Sequence, residues 1–270
     1  MIKYIIYAIL GFIQGFTEPL PISSSGHLML LNFVFNVDFL SDGNFLIISN
    51  FASFLAILFI FRKDITILIK SFFTYLRKKE KRKELTSKYK YCWLIIIGTI
   101  PVGISGLMLK DFVEKDVSPK FLGIAFLITS LSLFIVRNIK GKKNDEDITI
   151  KDAILIGLLQ AITICPGISR SGTVLVGCLL CGLSRPTALK YTFMLYFPVS
   201  IASMALEVFE LTKISNLNEL LPMYSIGFLF ASIVTLLSYN WLSKLVKDGK
   251  LWKFSIYTLL LAIFIFIYFR

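Results

Sequence analysis

Long apolar stretches separated by basic connections restrict the fold of this chain more than any other feature. Six stretches approach the roughly 17 to 25 apolar residues that a membrane-spanning helix needs. They cover residues 45–61, 92–109, 121–136, 188–206, 223–242 and 254–269. Only 17% of the residues are charged and 56% are hydrophobic, whereas about one quarter is charged in soluble domains. The sequence therefore predicts an all-α polytopic membrane protein with about six full transmembrane helices.

The distribution of basic residues explains the formal net charge of +12. The connection 62–91 carries eleven Lys or Arg against three acids, which is typical of a cytoplasmic loop under the positive-inside rule. The connection 137–152 is basic as well and belongs on the same side. Because membrane topology accounts for the basic excess, we predict the lipid bilayer as a partner and no nucleic acid.

Four apolar pieces are too short to span the bilayer. They cover residues 4–17, 28–35, 153–165 and 174–183, each long enough for about half to two thirds of its thickness. The last two are flanked by basic residues near Lys151 and Arg185, so the chain must enter and leave the membrane on one side. We predict two re-entrant helical hairpins. The loop after the first hairpin, with Asp38 and Asp42 and no base, belongs outside.

The two hairpins are similar in sequence. Residues 11–27 align without a gap on residues 157–173, at an offset of 146, with seven identities in 17 positions. The matches include Gln, Thr, Ser and Gly, which chance similarity between apolar segments does not favour. One hairpin enters from outside and the other from inside, which predicts an inverted-topology repeat. Its halves, 1–136 and 153–270, form a single membrane domain and are joined by the cytoplasmic loop 137–152.

The chain termini follow from this topology. The apolar run that begins near Met1 has no small-residue cleavage site after it, so we expect the N-terminus to be retained. Parity of the crossings then places both termini on the outer face.

Ionisable residues within the hairpins indicate a polar site near the membrane midplane. Glu18 and the single histidine, His27, lie in the first hairpin, and Arg170 lies in the second. Charges are costly inside a membrane, so a functional role is the default interpretation, with a structural pair of Glu18 and Arg170 as the alternative. Each loop leads into a half-helix whose N-terminus favours an anion. The planar fork of Arg170 suits phosphate oxygens, so we predict a phosphate site.

Other polar groups surround these charges in the sequence. The hydroxyl donors expected at the site are Ser23, Ser24, Ser25, Ser169, Ser171 and Thr173, and Gly172 is expected to bind substrate with them. Glu18 would repel a phosphate unless it is protonated or bridged by a divalent cation. We therefore expect a Mg or Ca ion bound by Glu18. Asn50 and Gln160 lie in apolar segments, where site building and hydrogen bonding between helices are equally open.

Three segments resemble signatures of a known family. Residues 11–27, Gly-Phe-Ile-Gln-Gly-Phe-Thr-Glu-Pro-Leu-Pro-Ile-Ser-Ser-Ser-Gly-His, are similar to the first signature of the undecaprenyl-diphosphatase family, also called bacitracin resistance proteins. Residues 166–172, Pro-Gly-Ile-Ser-Arg-Ser-Gly, resemble the second signature, and residues 98–101, Gly-Thr-Ile-Pro, resemble a third. The resemblance extends over essentially the whole chain.

The resemblance implies a metal-dependent phosphatase of the bacterial plasma membrane, with its active site on the outer face. Such an enzyme hydrolyses undecaprenyl diphosphate to undecaprenyl phosphate and phosphate, which recycles the lipid carrier of peptidoglycan synthesis and confers bacitracin resistance. The implied roles are a metal or catalytic carboxylate for Glu18, nucleophile for Ser24, general base or acid for His27 and diphosphate clamp for Arg170. Attack by water or by His27 stays open, as does a homodimer.

Two positions depart from the family pattern, and one other function competes. Gln14 stands where the family often has glutamate, which leaves one charge fewer for a metal, and Val174 stands where we expect threonine. A transporter or flippase of a phosphorylated lipid or other anion is the alternative, because inverted repeats with broken helices suit alternating access. A carrier has no need for Ser24, Glu18 and His27 together, so we favour the phosphatase.

Overall fold

The computed structural model describes residues 2–35, 43–113, 117–211 and 217–270. Within these ranges the chain forms ten α-helices and no β-sheet, which confirms the all-α prediction. The helices are α1 (Ile2–Thr17), α2 (Ser24–Phe35), α3 (Gly43–Arg77), α4 (Arg82–Val113), α5 (Pro119–Val136), α6 (Ile150–Ile162), α7 (Arg170–Leu180), α8 (Arg185–Leu211), α9 (Leu217–Lys247) and α10 (Trp252–Tyr268). Asp38 and Asp42, which we assign to an outer loop, lie outside the described residues.

Five of the six predicted spans form helices that are long and apolar enough to cross a membrane, namely α3, α4, α5, α8 and α9. The sixth predicted span, 254–269, forms α10, which has 17 residues and a length of about 26 Å. The hydrocarbon core of a bilayer is about 30 Å thick. The chain is therefore a multi-pass membrane protein, and α10 falls a few ångströms short of the thickness of the hydrocarbon core.

The basic connection 62–91 is mostly helix rather than loop. Helix α3 continues to Arg77 and α4 begins at Arg82, with only a short 3-10 turn, Lys79–Lys81, between them. Lys, Arg and Glu are good helix formers and the segment contains no Pro or Gly, so both helices extend into it from the membrane. The 35 residues of α3 extend about 52 Å, so the charged ends of α3 and α4 project beyond the bilayer. The rings of Tyr75 and Tyr89 stack at 4.0 Å and hold the two extensions together.

Equivalent helices of the two halves pack against equivalent partners. Helix α1 packs on α9, and α6 packs on α4. Both contacts are made through glycine: a Cβ at Gly11 would overlap the backbone of Gly227, and a Cβ at Gly157 would overlap that of Gly98. Gly11 and Gly157 are matched by the offset of 146. Small residues at the interface let the helix backbones approach closely, as membrane helices require.

The tips of the two hairpins also meet in an equivalent way. A Cβ at Gly26 would lie 3.3 Å from the Cα of Gly167, and a Cβ at Gly172 would lie 3.2 Å from the Cβ of Pro21. The offset of 146 relates both pairs, Gly26 to Gly172 and Pro21 to Gly167. The Ser171 hydroxyl donates a hydrogen bond of 2.9 Å to the carbonyl of Leu20 across the same junction. The hairpins therefore cross with the starts of α2 and α7 side by side.

Replacing Gly157 with alanine is expected to destabilise the protein by about 1–3 kcal/mol, because the added methyl group overpacks a tight helix contact. Its Cβ would lie 2.5 Å from the carbonyl oxygen of Gly98, which cannot move without shifting α4. The measurement is the thermal unfolding midpoint in detergent. Gly103→Ala is the control, because a Cβ at Gly103 meets nothing within 4 Å. An equal midpoint for both variants would contradict the tight packing of α6 on α4.

Candidate active site

The turn of the first hairpin fixes the start of α2. Ser23 adopts a φ of 69°, a left-handed conformation that costs a non-glycine residue roughly 1–2 kcal/mol. Its hydroxyl oxygen accepts a hydrogen bond of 3.2 Å from the Gly26 N–H, and its carbonyl accepts one of 3.2 Å from the His27 N–H. These bonds satisfy two of the free N–H groups in the first turn of the helix. Ser24 is therefore held as the first residue of α2.

The second hairpin repeats the cap with a different turn. Gly167 takes the positive φ, 87°, which glycine adopts without steric cost. Ser169 caps α7 by accepting a hydrogen bond of 3.1 Å from the Gly172 N–H. Arg170 is then the first residue of α7, as Ser24 is of α2. The offset of 146 relates these two residues, so the repeat places a hydroxyl at one helix start and a cation at the other.

Glu18 connects the two helix starts. The Ser24 hydroxyl donates to its Oε2 at 2.5 Å, and the Gln14 amide donates to the same oxygen at 3.1 Å. The guanidinium of Arg170 lies 3.6 Å from its Oε1. The Glu18 side chain is only 7% exposed. A nearly buried carboxylate thus holds the Ser24 hydroxyl on one oxygen and faces a cation with the other.

Arg170 keeps donors available for a ligand. Its 3.6 Å distance to Glu18 is longer than the roughly 2.7–2.9 Å of a charge-assisted hydrogen bond. The guanidinium carbon also lies 5.0 Å from the centre of the Tyr196 ring, in a cation–π contact. The side chain is one third exposed, at 33%. Arg170 is therefore oriented by Glu18 and Tyr196 without being fully bonded to either.

His27 makes hydrogen bonds away from Ser24. Its Nδ1 lies 2.6 Å from the Ser23 carbonyl oxygen, which can only accept, so Nδ1 carries a proton. Its Nε2 then accepts from the Tyr257 hydroxyl at 2.8 Å, and the two rings stack. The resemblance implies His27 as the general base or acid, but in the structure the Ser24 hydroxyl donates its hydrogen bond to Glu18. Both imidazole nitrogens have other partners, the Ser23 carbonyl and the Tyr257 hydroxyl of α10.

A cavity of about 870 Å³ opens at the junction of the hairpins. Its polar lining includes seven of the predicted site residues: Glu18, Ser23, Ser24, Ser25, Ser169, Arg170 and Ser171. An apolar part of its wall comes from α4, through Val102, Gly103 and Leu107, and from α8, through Val199 and Leu206. The cavity therefore combines a charged, hydroxyl-rich region with an apolar wall between two membrane helices.

Some predicted site residues lie behind this lining. Gln14, His27, Gly172 and Thr173 are not among the described residues that line the cavity. The N–H of Gly172 is already bonded to Ser169. Val174 does line the cavity, so methyl groups stand where we expected the family's threonine hydroxyl.

Two aromatic contributions to the site were not predictable from the sequence. Tyr196 and Tyr257 come from α8 and α10 and belong to no motif, so only the packing of the helices brings them here. Asn50 accepts a hydrogen bond of 2.7 Å from the Gln14 amide and also lines the cavity, so it meets both alternatives that the sequence left open. A polar residue within an apolar segment was the only available signal for Asn50.

The described side chains at the cavity offer a divalent cation one carboxylate, that of Glu18. Among the residues that the structure describes, no group of three or more His, Cys, Asp or Glu side chains is close enough together to hold a metal. Mg²⁺ is commonly bound through one or two carboxylates together with substrate phosphates, and Glu18 can supply one carboxylate. Gln14 presents its amide nitrogen to Glu18 and Asn50, so its oxygen would ligate only after the amide turns over.

Comparison with known proteins agrees with this architecture. A family model described as Bacitracin resistance protein BacA matches residues 7–264. Undecaprenyl-diphosphatase 2 of Bacillus thuringiensis (strain Al Hakam) is 38% identical over 263 residues, which cover 97% of this chain and 96% of that protein. Undecaprenyl-diphosphatase of Oceanobacillus iheyensis is 37% identical over 267 residues, covering 97% and 95%. Undecaprenyl-diphosphatase 1 of Halalkalibacterium halodurans is 34% identical over 252 residues, covering 93% and 91%. The chain therefore belongs to the bacitracin resistance protein BacA family.

Proposed function

We propose that this protein hydrolyses undecaprenyl diphosphate to undecaprenyl phosphate and inorganic phosphate. Membership of the family and the names of its relatives support a phosphatase of this specificity. The observation that carries the proposal is the meeting of Glu18, Ser24 and Arg170 at one cavity, where two helix starts converge. This activity recycles the lipid carrier for peptidoglycan synthesis and accounts for bacitracin resistance. Nothing in the family or in the site favours the transporter alternative.

The two parts of the cavity suit the two parts of the substrate. The diphosphate binds Arg170, the first N–H groups of α2 and α7 that the caps leave free, and the serine hydroxyls of both hairpins. The prenyl chain lies along the apolar wall between α4 and α8. Gly103 leaves open space there, because a Cβ at this position would meet nothing within 4 Å. The chain of the lipid thus stays near the bilayer while its head reaches the hairpins.

The proton of Ser24 has an acceptor already in place. As the Ser24 oxygen attacks the terminal phosphorus, its proton passes to Glu18, to which it is hydrogen-bonded. The bond from that phosphorus to the bridging oxygen breaks, and undecaprenyl phosphate leaves. Glu18 gives the proton it took from Ser24 to the leaving phosphate oxygen and is again free to act as a base. Water then attacks the phosphoserine, Glu18 accepts the water proton and passes it to the departing serine oxygen, and phosphate and the serine hydroxyl are released. His27 positions Ser24 by holding the carbonyl of Ser23, and Arg170 stabilises the charge that builds on the transferred group.

A divalent cation fits this scheme as a partner of the diphosphate. Mg or Ca would be held by Glu18, by substrate phosphates and, after rotation of its amide, by the Gln14 oxygen. When bound, it would neutralise charge on the diphosphate. With glutamine at position 14 the protein offers one carboxylate here, so weak metal binding is expected.

The site is proposed to face the outer side of the plasma membrane. The cavity-lining residues of α4, from Thr99 to Leu107, lie in the C-terminal half of that helix, and those of α8, from Thr192 to Leu206, extend from its middle toward its C-terminal end. Counting the crossings from the cytoplasmic connection 62–91 places the connections that follow these two ends outside. Both termini belong on that face by the same parity, and the homodimer stays a prediction.

The test is phosphate release from a long-chain polyprenyl diphosphate by the detergent-purified protein. We expect turnover with Mg or Ca and a loss of at least about tenfold with a chelator, because the diphosphate charge is then neutralised by Arg170 alone. Readdition of the metal should restore the rate. Folded wild-type protein that releases no phosphate with either metal would refute the phosphatase, and equal turnover with chelator would refute the metal requirement.

A further inference from the structure

Gln160 is a buried polar side chain without a partner at the wall of the cavity. It lies in the last turn of α6 and is 0% exposed. Neither its amide nitrogen nor its amide oxygen has a hydrogen-bond partner among the described residues. Gln160 lines the same cavity as Glu18 and Arg170. Buried amides in folded proteins nearly always have partners, and one without a partner at a cavity indicates a group that a ligand satisfies.

The equivalent glutamine of the first hairpin shows what Gln160 lacks. Gln14, at the offset of 146, donates to Glu18 and Asn50. The position equivalent to Glu18 in the second hairpin is Ile164, which has no side-chain acceptor. The two glutamines therefore occupy equivalent positions in the repeat, but within the described part of the chain only the side chain of Gln14 is hydrogen-bonded. The amide of Gln160 is left available to the contents of the cavity.

The surroundings of Gln160 select the chemistry of its ligand. The second hairpin contributes the Arg170 cation and the Ser169 hydroxyl to the cavity, both of them donors to an anion, whereas the Ser171 hydroxyl already donates to the Leu20 carbonyl. The first hairpin contributes the Glu18 carboxylate and the Ser24 hydroxyl that is hydrogen-bonded to it. A further hydrogen-bond donor from the second hairpin would therefore bind the diphosphate and not the attacking hydroxyl. The amide NH₂ of Gln160 is such a donor, and it adds no charge.

We propose that Gln160 is a substrate-binding residue whose Nε2 donates a hydrogen bond to a phosphate oxygen of the bound diphosphate. This inference rests on the proposed function, since it takes the diphosphate of that reaction as the ligand. The Oε1 atom remains available to a water or hydroxyl donor beside it. Gln160 and Arg170 then bind the diphosphate from the same half of the repeat.

The test uses Gln160→Leu and inorganic pyrophosphate as the probe. Leucine is similar in size and apolar, so it removes the unpaired amide without leaving a cavity. We expect the unfolding midpoint of the ligand-free variant to equal or exceed that of wild type. Pyrophosphate should stabilise wild type against heat, and its apparent Kd should rise about tenfold in the variant, the effect of losing one hydrogen bond to a charged group. The KM for polyprenyl diphosphate should rise in the same proportion.

Two further variants separate the possible roles. Like Gln160, Ser238 is a buried polar residue whose side chain has no partner within the described ranges, but it lies in α9 and does not line the cavity. Ser238→Ala should therefore leave pyrophosphate binding unchanged. Gln160→Glu replaces the donor by a carboxylate, so it should bind pyrophosphate more weakly than Gln160→Leu. Binding by Gln160→Glu that is restored by Mg would overturn the proposal and make Gln160 a metal ligand.

The remaining outcomes are also decisive. Equal pyrophosphate affinity in wild type and Gln160→Leu would overturn the proposal, as would a wild type that pyrophosphate does not stabilise. If Gln160→Leu has a lower unfolding midpoint than wild type but an unchanged KM, the role of Gln160 is structural and the proposal is overturned. Failure of the proposed function looks different, because wild type would then bind pyrophosphate without releasing phosphate from the lipid.

Discussion

Replacing Arg170 with alanine is expected to lower kcat/KM for polyprenyl diphosphate by about 10³-fold or more, the range in which arginines that stabilise phosphoryl transfer contribute. Arg170 is the cation nearest to the catalytic pair, 3.6 Å from Glu18, and its side chain lines the cavity. Without it, only the divalent cation and the backbone N–H groups oppose the charge that builds on the transferred phosphoryl group. The measurement is phosphate release at several substrate concentrations, with the metal held constant.

Two variants control for the loss of a charge and for misfolding. Arg170→Lys keeps the charge but not the planar fork, so it should recover only part of the activity. Arg62→Ala removes an exposed guanidinium that lies over the Phe59 ring, far along α3 from the hairpins, and should leave the rate unchanged. Gel filtration in detergent checks that each variant is folded. A folded Arg170→Ala protein within tenfold of wild type would contradict the role of Arg170 as the diphosphate clamp.

The spans of this fold are predictable because a membrane helix must be apolar over a fixed length. Five of the predicted spans became full-length helices for that reason. Their ends are less predictable, since a helix continues wherever its residues permit. The segment from Arg62 to Arg77 is charged and polar enough to leave the bilayer but has no helix-breaking residue, and α3 runs through it. The membrane-spanning part of α3 ends where the chain passes from the bilayer into water, but the helix itself continues.

The hairpins are predictable to finer detail because their local chemistry repeats. Ser23 and Ser169 are matched in sequence, and each caps the helix that follows it. Gly26 and Gly172 are matched as well, and each abuts the tip of the opposite hairpin. These contacts need only short side chains at particular positions, which a sequence alignment detects directly.

The partners within the site are harder to predict. The motifs indicate Glu18, Ser24 and Arg170, but the choice of Glu18 over His27 as the partner of Ser24 depends on the position of α10. Tyr257 is 230 residues from His27 along the chain, and its hydroxyl is hydrogen-bonded to the imidazole Nε2. Gln14 and Gln160 make the same point, because identical residues at matched positions differ in whether a neighbour can accept a hydrogen bond.

Replacing Ser24 with alanine is expected to lower kcat by at least about 10³-fold, because it removes the attacking oxygen. Glu18→Gln should lower it by about 10²- to 10⁴-fold, since the proton of Ser24 then has no base. Ser24 and Glu18 act as one unit through their 2.5 Å hydrogen bond, so the double variant should be no slower than Ser24→Ala alone. The measurement is single-turnover phosphate release from each variant.

The covalent intermediate distinguishes Ser24 from water as the attacking group. Rapid acid quench of wild type during turnover should trap one phosphoryl group on Ser24, detected by mass spectrometry of the peptide, and none in Ser24→Ala. Ser132→Ala is the control, because this exposed hydroxyl only donates to the Ile128 carbonyl within α5. A Ser24→Ala variant that keeps a rate within tenfold of wild type would contradict nucleophilic attack by Ser24, and Glu18 would then be the base for a water molecule. A parallel quench in base preserves phosphohistidine, and a phosphoryl group found on His27 there would contradict attack by Ser24 as well, because the imidazole would then be the nucleophile.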